Sequence, residues 1–342
     1  GGDGDVRVDN YCTITGNVDL GLGSNAFINH QGGVFNAYYT YVGAGNVLTN
    51  AGTLSPYGAG NIGTATIIGD LTQTATGVLA IDIDMAGGDA DSIDLSGAGT
   101  ASLAGKVALN FSSLAPVPQT FTILSGASDI PVQALGVLNP VVVSQISYPG
   151  DTDVELTISG FDFAPAGLNG NQTGIGGNLN AVFNAGSGGL GSILLSLANM
   201  TSLSEVESAL NQLSPALYSD AQIAALYSSL GFANSLLSCK VNGTDTASII
   251  HEGQCLWAGA NAGFLDTGST FELLGFNETA GRFAAGAQVA IAPEWRLGFG
   301  AGYQSSTLET ATNASADGQL AQGGVALKYN PGAFLLAGVI SG

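Results

Sequence analysis

From about residue 255 the chain alternates between apolar positions and small or polar ones. CLWAGANAGF sets Leu256, Ala258, Ala260, Ala262 and Phe264 against Trp257, Gly259, Asn261 and Gly263. GRFAAGAQVAI sets Phe283, Ala285, Ala287, Val289 and Ile291 against Arg282, Gly286 and Gln288. In WRLGFGAGYQ, Trp295, Leu297, Phe299, Ala301 and Tyr303 face away from Arg296, Gly298, Gly300, Gly302 and Gln304. AQGGVALKY repeats the scheme, and AFLLAGVI begins one more run. A period of two predicts strands. The non-apolar side is glycine with isolated Arg, Gln, Asn or Lys. That is a poor shield against solvent but suits the inside of a closed barrel. Trp295, Tyr303, Tyr329 and Phe264 stand at run ends, where amphipathic rings sit in membrane interfaces. Runs of about ten residues match tilted strands that cross a bilayer. Lipid tolerates only helices and closed barrels, because every backbone polar group must be paired internally. The odd face of WRLGFGAGYQ is therefore expected to meet lipid and the even face to look inward. Short turns (APE, NPG) alternate with longer loops such as SSTLETATNASADG, as in outer-membrane barrels. About five strands are visible, fewer than the roughly eight of the smallest such barrels. With a start at GGDGDV and a stop mid-pattern at LLAGVISG, the chain is expected to be a fragment.

Upstream, over about 165–240, apolar spacing shifts to three and four. Ser204 and Glu207 read as a capping box. Ser214 followed by Pro215 reads as a helix start, with proline at the first position. Ile223, Leu226, Leu230, Ala233 and Leu237 form one apolar stripe on that helix. The remaining side chains are small and uncharged apart from Asp220. Such a helix either packs on a sheet as a core element or lies inside something narrow.

The first 160 residues are strand-rich and helix-poor. TATIIGDLTQ, GVLAIDIDM, ASLAGKVALNF, FTILSG and DVELTISG alternate, with Gly, Asn and Asp between them. That pattern leaves a sandwich, a barrel or a solenoid. Irregular spacing weakens a solenoid assignment from period alone.

Charge and composition narrow the chemistry. With 26 acidic and 6 basic residues the net charge is −20. Nucleic acid as a partner has no electrostatic support, because phosphate binding rests on Lys and Arg. The 52 glycines show no G-X-Y period. No run of about 18 apolar residues marks a spanning helix, and no signal peptide opens the chain. Of the cysteines, Cys12, Cys239 and Cys255, the last two bracket a polar loop containing His251. A zinc site would want closer pairs and more ligands. A disulfide between Cys239 and Cys255 is the favoured reading, with two unpaired buried thiols as the alternative. The disulfide would place the region in an oxidising compartment. IDIDMAGGDADSIDL gathers Asp82, Asp84, Asp89, Asp91 and Asp94 around Gly87 and Gly88. One copy of a calcium-repeat-like segment cannot complete the coordination that stacked copies give, so a solvated turn is expected. His30 and His251 lie far apart, and no G-x-S-x-G or phosphate-loop context is present. Catalytic, cofactor-binding and metal residues are all expected to be absent, and the chain is expected not to be an enzyme.

The order of segments resembles a bacterial autotransporter of the type V secretion family. NAGTLSPYGAGNIGTATIIGDLTQTATGVLAIDID (50–84) is similar to the end of a passenger β-helix. DSIDLSGAGTASLAGKVALNF with FTILSGA (91–127) is similar to its closing rungs. LNGNQTGIGGNL and ALNQLSPALYSDAQIAAL resemble the family's linker, and CLWAGANAG its first barrel strand. The resemblance covers roughly residues 45–342. It implies a mainly β protein with three parts. Residues 1–160 are the C-terminal end of a right-handed passenger β-helix. Residues 161–240 are a helical linker with a candidate pore helix at 215–237. Residues 241–342 are the N-terminal, incomplete part of an antiparallel outer-membrane β-barrel. The implied function is an outer-membrane anchor that helps export its own passenger to the surface of a Gram-negative cell. The implied partners are outer-membrane lipid, periplasmic chaperones and the barrel-assembly machinery. The family's full strand complement, its C-terminal aromatic signal and an Asn-Asn cleavage pair in the linker are not seen here. The passenger is expected to be adhesin-like, with its ligand unknown. The alternatives are an enzymatic passenger (protease or esterase) on the same anchor, or a secreted soluble β-solenoid.

Overall fold

In the computed structural model, residues 4–95, 97, 99–186, 188–239, 254–270, 274–312, 314–331 and 334–342 are described. They fall into two units, Gly1–Leu210 and Asn211–Gly342.

The first unit begins with β1 (Arg7–Asn10), β2 (Thr13–Asp19), β3 (Ala26–Asn29), β4 (Val34–Tyr41), β5 (Val47–Asn50), β6 (Thr53–Pro56), β7 (Thr64–Ile68) and β8 (Asp70–Gln73). It continues with β9 (Val78–Asp84), β10 (Asp89–Ala90), β11 (Ser92–Asp94), β12 (Ala101–Ser113), β13 (Gln119–Ser125), β14 (Val132–Val137), β15 (Val142–Ser147) and β16 (Val154–Phe161). Pairing is parallel in three ladders. One runs β1-β3-β5-β8 to the first half of β12 and then β14. A second runs β2-β4-β6-β9 to the second half of β12. A third starts at the end of β4 and runs through β7 and β11 to β13. This is a β-solenoid. The antiparallel strands β16 and β15 follow β13 and end the parallel stacking.

Register stacks like on like. Phe27, Leu48, Leu71 and Ala101 form one column, and Phe35, Leu54, Leu79 and Val107 another. All are buried, so each rung covers the apolar face of the last. A third column is polar. Asn10 Nδ2 donates to Asn29 Oδ1 (2.8 Å), Asn29 Nδ2 to Asn50 Oδ1 (2.8 Å), and Asn50 Nδ2 to Gln73 Oε1 (3.2 Å). Gln73 Nε2 closes the ladder on the carbonyls of Ala104 and Lys106. The sequence separations along it are 19, 21 and 23, while Asp70 and Thr100 pair at 30. That drift, widened by the β9–β10 hairpin, is why no fixed period is visible in the sequence. The turn beside the ladder admits only glycine. A Cβ on Gly52 would lie 2.3 Å from the Gly33 carbonyl oxygen, and one on Gly105 (φ +82) 2.4 Å from that of Gly77.

The far end is closed by side chains. The second half of β12 has an edge that would otherwise offer bare N–H and C=O groups to another strand. Asn139 accepts from Leu109 N–H and donates to Leu109 C=O, both at 2.8 Å. Asn199 does the same at Phe111 (2.6 and 3.0 Å). Three helices pack here: α1 (Gly170–Asn184), α2 (Gly191–Ala198) and α3 (Leu203–Gln212). They share a core of Val141, Phe163, Leu179, Leu194, Leu197, Val206 and Leu210. The capping box of α3 is Ser202 with Glu205, two residues before the expected Ser204 and Glu207. Ser-x-x-Glu occurs twice in overlap, and the helix uses the earlier copy.

The second unit contains α4 (Ala216–Leu236), then β17 (Cys255–Thr267), β18 (Phe276–Ala292), β19 (Trp295–Thr310), β20 (Ser315–Tyr329) and β21 (Leu336–Ser341). The strands form one antiparallel sheet in chain order, not closed on itself. Strands β17–β20 hold 13, 17, 16 and 15 residues. They outrun the expected ten, and much of SSTLETATNASADG belongs to β19 and β20 rather than to a loop.

Asn29→Ala is expected to destabilise the solenoid by about 2–4 kcal/mol, because it strands buried amide groups on both neighbouring rungs. Asn36→Ala removes an exposed amide that bonds Thr15 and serves as control. Urea unfolding of the full chain followed by circular dichroism reads the difference, and equal midpoints for the two variants would refute the ladder's role.

Candidate functional site: the helix on the inner face of the sheet

Alternation along β17–β20 divides the sheet into two unlike faces. One is exposed and apolar over a band. Leu256, Phe264, Phe283, Ile291, Trp295, Phe299, Tyr303, Val325 and Leu327 are 38–70 % exposed. Trp295 and Tyr329 stack at 4.5 Å on one border of the band. Beyond Tyr303 the same face turns polar through Ser305, Thr307 and Glu309, matched on neighbouring strands by Thr279, Asn277, Asp317 and Gln319. From Trp295 to Tyr303, at about 3.4 Å per residue and a tilt near 45°, the band is about 20 Å tall, close to the roughly 25 Å apolar belt of outer-membrane barrels.

The other face holds α4. Gly298, Gly300, Gly302 and Gly324 make a bare floor, into which Phe232 and Leu236 settle. A Cβ on Gly324 would stand 2.7 Å from a Leu236 methyl, and one on Gly302 3.2 Å from the Phe232 ring. Polar contacts complete the seat. Ser228 donates to Gln304 Oε1, which also accepts from Arg282 Nε (2.7 Å). Gln304 Nε2 donates to Glu278 (3.0 Å), and Gln322 Nε2 donates to Ser229 Oγ (3.0 Å). Lys328 Nζ donates to the carbonyls of Leu237 and Cys239. A cavity of about 380 Å³ lies beside the helix, lined by Ser228, Ser235, Asn261, Arg282, Gln304 and Gln322 among others.

The helix occupies the expected stretch but turns a different face to the sheet. Asp220, Ala224, Ser228, Phe232 and Leu236 are buried, whereas Ile223, Leu226 and Leu230 are 43, 59 and 54 % exposed. The apolar-stripe rule assumes an apolar counterpart. Here the counterpart is glycine and polar groups, so the large Phe232 and Leu236 fill the glycine floor while Ala224 and Ser228 face the remainder. The start differs from the expected one: Pro215 is the N-cap rather than the first helical residue, no side chain caps it, and Ser214, one residue earlier, accepts from Ala216 N–H through its Oγ (3.2 Å). Cys239 and Cys255 are both buried with Cα atoms 6.1 Å apart, while Cys12 is exposed.

Residues 256–342 match the family model described as Autotransporter beta-domain. This stretch is an autotransporter translocator region. It belongs to a Gram-negative outer-membrane barrel that anchors and exports, with its passenger at the cell surface, and it is not a catalytic domain. No curated protein matches the chain. Among the described residues no helix is long and apolar enough to cross a membrane, which does not bear on strands.

Elsewhere, the residues weighed as chemistry have structural partners. His30 Nε2 pairs with Asp9 (2.7 Å) and its ring stacks on Tyr11 at 4.1 Å. His251 lies outside the described residues. Among the described residues no group of three or more His, Cys, Asp or Glu is placed to hold a metal. The aspartate-rich turn is not simply solvated. Asp91 is fully buried and accepts from Gly63 N–H (2.8 Å) and Asp82 N–H (3.0 Å). Asp82, also buried, accepts from Asn61 N–H and Asn110 Nδ2. These carboxylates pin the β9–β10 hairpin to adjacent rungs, a role that spacing alone did not reveal. Burial pushes the Asp91 carboxyl up to about 7, against the two N–H groups that favour its charge.

Two outcomes follow from these contacts. A free aspartate titrates near about 3.9, so between there and about 7 folded Asp91 holds a proton that the unfolded chain has lost. Its stabilising share is complete below about pH 4 and is lost as pH rises through about 7. Asp91→Asn is expected to flatten the fall in solenoid stability between about pH 4 and 7; parallel pH profiles for variant and wild type would contradict this. Gly302→Leu is expected to unseat Phe232 and raise chymotrypsin cleavage at Tyr218, Tyr227 and Phe232 in the assembled barrel. Unchanged cleavage would mean the glycine floor does not hold the helix.

Proposed function

We propose that the chain is part of the outer-membrane anchor and the adjoining passenger end of an autotransporter whose β-helical passenger is adhesin-like. The observation that carries this reading is the seating of α4 on the glycine-floored, polar face of a sheet whose other face is an apolar band. On this reading residues 1–160 close the passenger β-helix, 161–240 link it to the anchor with 215–237 as the pore helix, and 241–342 build the first part of the barrel wall. Folding of the solenoid outside the cell supplies the pull, since each rung buries apolar surface on the one before. Asn139 and Asn199 give that stack a finished end. Exposed Tyr11, Tyr39 and Tyr57 on the solenoid support a binding surface, because tyrosine offers apolar area with a polar handle. Outer-membrane lipid surrounds the wall, and periplasmic chaperones and the barrel-assembly machinery deliver it. Cys239 and Cys255 form a disulfide that ties the end of α4 to the start of β17, within the roughly 4.4–6.8 Å Cα spacing such bonds allow.

Single cysteines at alternate positions of β19 test the anchor. In outer-membrane preparations, Phe299→Cys is expected to react with a lipid-partitioned maleimide and Gly300→Cys is not. Equal labelling of both, or recovery of the protein in the soluble fraction, would refute the reading. The disulfide is tested by denaturing gels, where oxidised protein should migrate faster than reduced protein and the difference should vanish in Cys239→Ser.

A further inference from the structure

The end of α4 presents a problem that its own sequence does not solve. A helix leaves its last carbonyls without intrahelical partners and carries partial negative charge there. The last turn of α4 contains no basic residue. The missing cation comes from the sheet. Lys328 on β20 is 2 % exposed and aims its ammonium at the carbonyls of Leu237, the C-cap residue, and Cys239. Immediately before this cap, Leu236 packs on Gly300 and Gly324. The mid-helix contacts, Ser228 with Gln304 and Ser229 with Gln322, join neutral groups to the helix. Charge-assisted bonds are about twice as strong as neutral ones, so the cap outweighs either.

Position matters as much as strength. Hydroxyl contacts along a helix do not fix its depth alone, because Ser235 follows Ser228 by about two turns and a slide of that length would set it on the same partner. A terminal cap does, since the orphan carbonyls exist only at the end. With α4 absent, Lys328 would stand in a wet lumen at no desolvation cost. With α4 seated, it loses water and gains carbonyls. The residue therefore recognises one depth of the helix.

We propose that Lys328 is the positioning residue that stops α4 at a fixed depth and holds it as the plug of the translocator lumen. This rests on the pore-helix reading above. The Cys239–Cys255 link acts at the same end as a second tether.

The test uses the full-length protein in the outer membrane. The readout is entry of a glycopeptide antibiotic too large for an intact membrane. Barrel assembly is checked by heat-modifiable migration, and export by protease shaving of the passenger. Cys239→Ser/Cys255→Ser is expected to stay tight. Adding K328M is expected to raise entry about tenfold, the size of shift that loss of one charge-assisted contact produces, with assembly and export retained. K328R in the same background should restore tightness, which a general packing defect would not allow. If K328M fails to assemble, K328Q carries the same comparison. The latch is overturned if both Lys328 variants stay tight while deletion of 216–236 leaks. If that deletion stays tight as well, the pore-helix reading itself falls, and the latch with it.

Discussion

An amide shut away from water must bond another group inside the chain, and in the solenoid that group is the amide one rung along. The ladder from Asn10 to Gln73 links four rungs through buried carboxamides. It fixes which residue of each rung lies over which, and the apolar columns follow from it. If Asn29 sits on Asn50, then Phe27 sits on Leu48 and Ile28 on Thr49. A slip of one residue would turn every core side chain outward and leave each amide bare at once. The glycine turns obey the same register, because the ladder brings backbones so close that no Cβ fits between Gly33 and Gly52. Loops of different length are tolerated as long as they return to the ladder, and the separations widen from 19 to 23 along it.

The translocator sheet meets the same requirement with the opposite arrangement. Its apolar side chains point outward and its polar ones inward. The inner face mixes bare glycine with polar groups, so the helix laid on it turns both kinds of side chain toward it: Phe232 and Leu236 over the glycines, Ser228 to Gln304, and the helix end to Lys328. Arg282 and Glu278 approach at 3.9 Å and share Gln304 between them. The exposed stripe of Ile223, Leu226 and Leu230 is the counterpart of this inversion. The best apolar face of the helix is the one the sheet does not use.

Legibility of the sequence tracked how local the cause was. The strands, their in-and-out alternation and the stretch of α4 were readable, because period is carried by neighbouring residues, whereas both expected caps lie one or two residues from the observed ones. WRLGFGAGYQ is arranged as its alternation implied, with Phe299 and Tyr303 exposed on one face and Arg296 and Gln304 buried on the other. What could not be read depended on partners far along the chain. The buried face of α4 is set by glycines about 70 residues later. The burial of Asp91 is set by Gly63, 28 residues earlier. The edge closure of Leu109 and Phe111 is set by Asn139 and Asn199. One signal was available and unused: Asn10, Asn29, Asn50 and Gln73 each end a short strand just before a turn. In this chain a carboxamide recurs at strand ends with growing intervals where no fixed period does.

Neutral polar groups in these seams suit a stack in which each rung covers the one before. Only 9 % of residues are charged, and the internal polar seams are built chiefly from Asn, Gln and Ser. Burying an unpaired amide costs about 2–7 kcal/mol, whereas burying an isolated charge costs far more. A solenoid that grows rung by rung buries one carboxamide per step, and each finds its partner on the rung already in place. The cost of every step is therefore small and met at once. A seam of ion pairs would require a larger desolvation at each step, before the next rung arrives to offset it. Two of the buried titratable groups sit against backbone partners: Asp91 beneath two N–H groups, and Lys328 at the carbonyls of a helix end. The acidic remainder stays on the surface, where a net charge of −20 keeps chains apart while the sheet edges are still open.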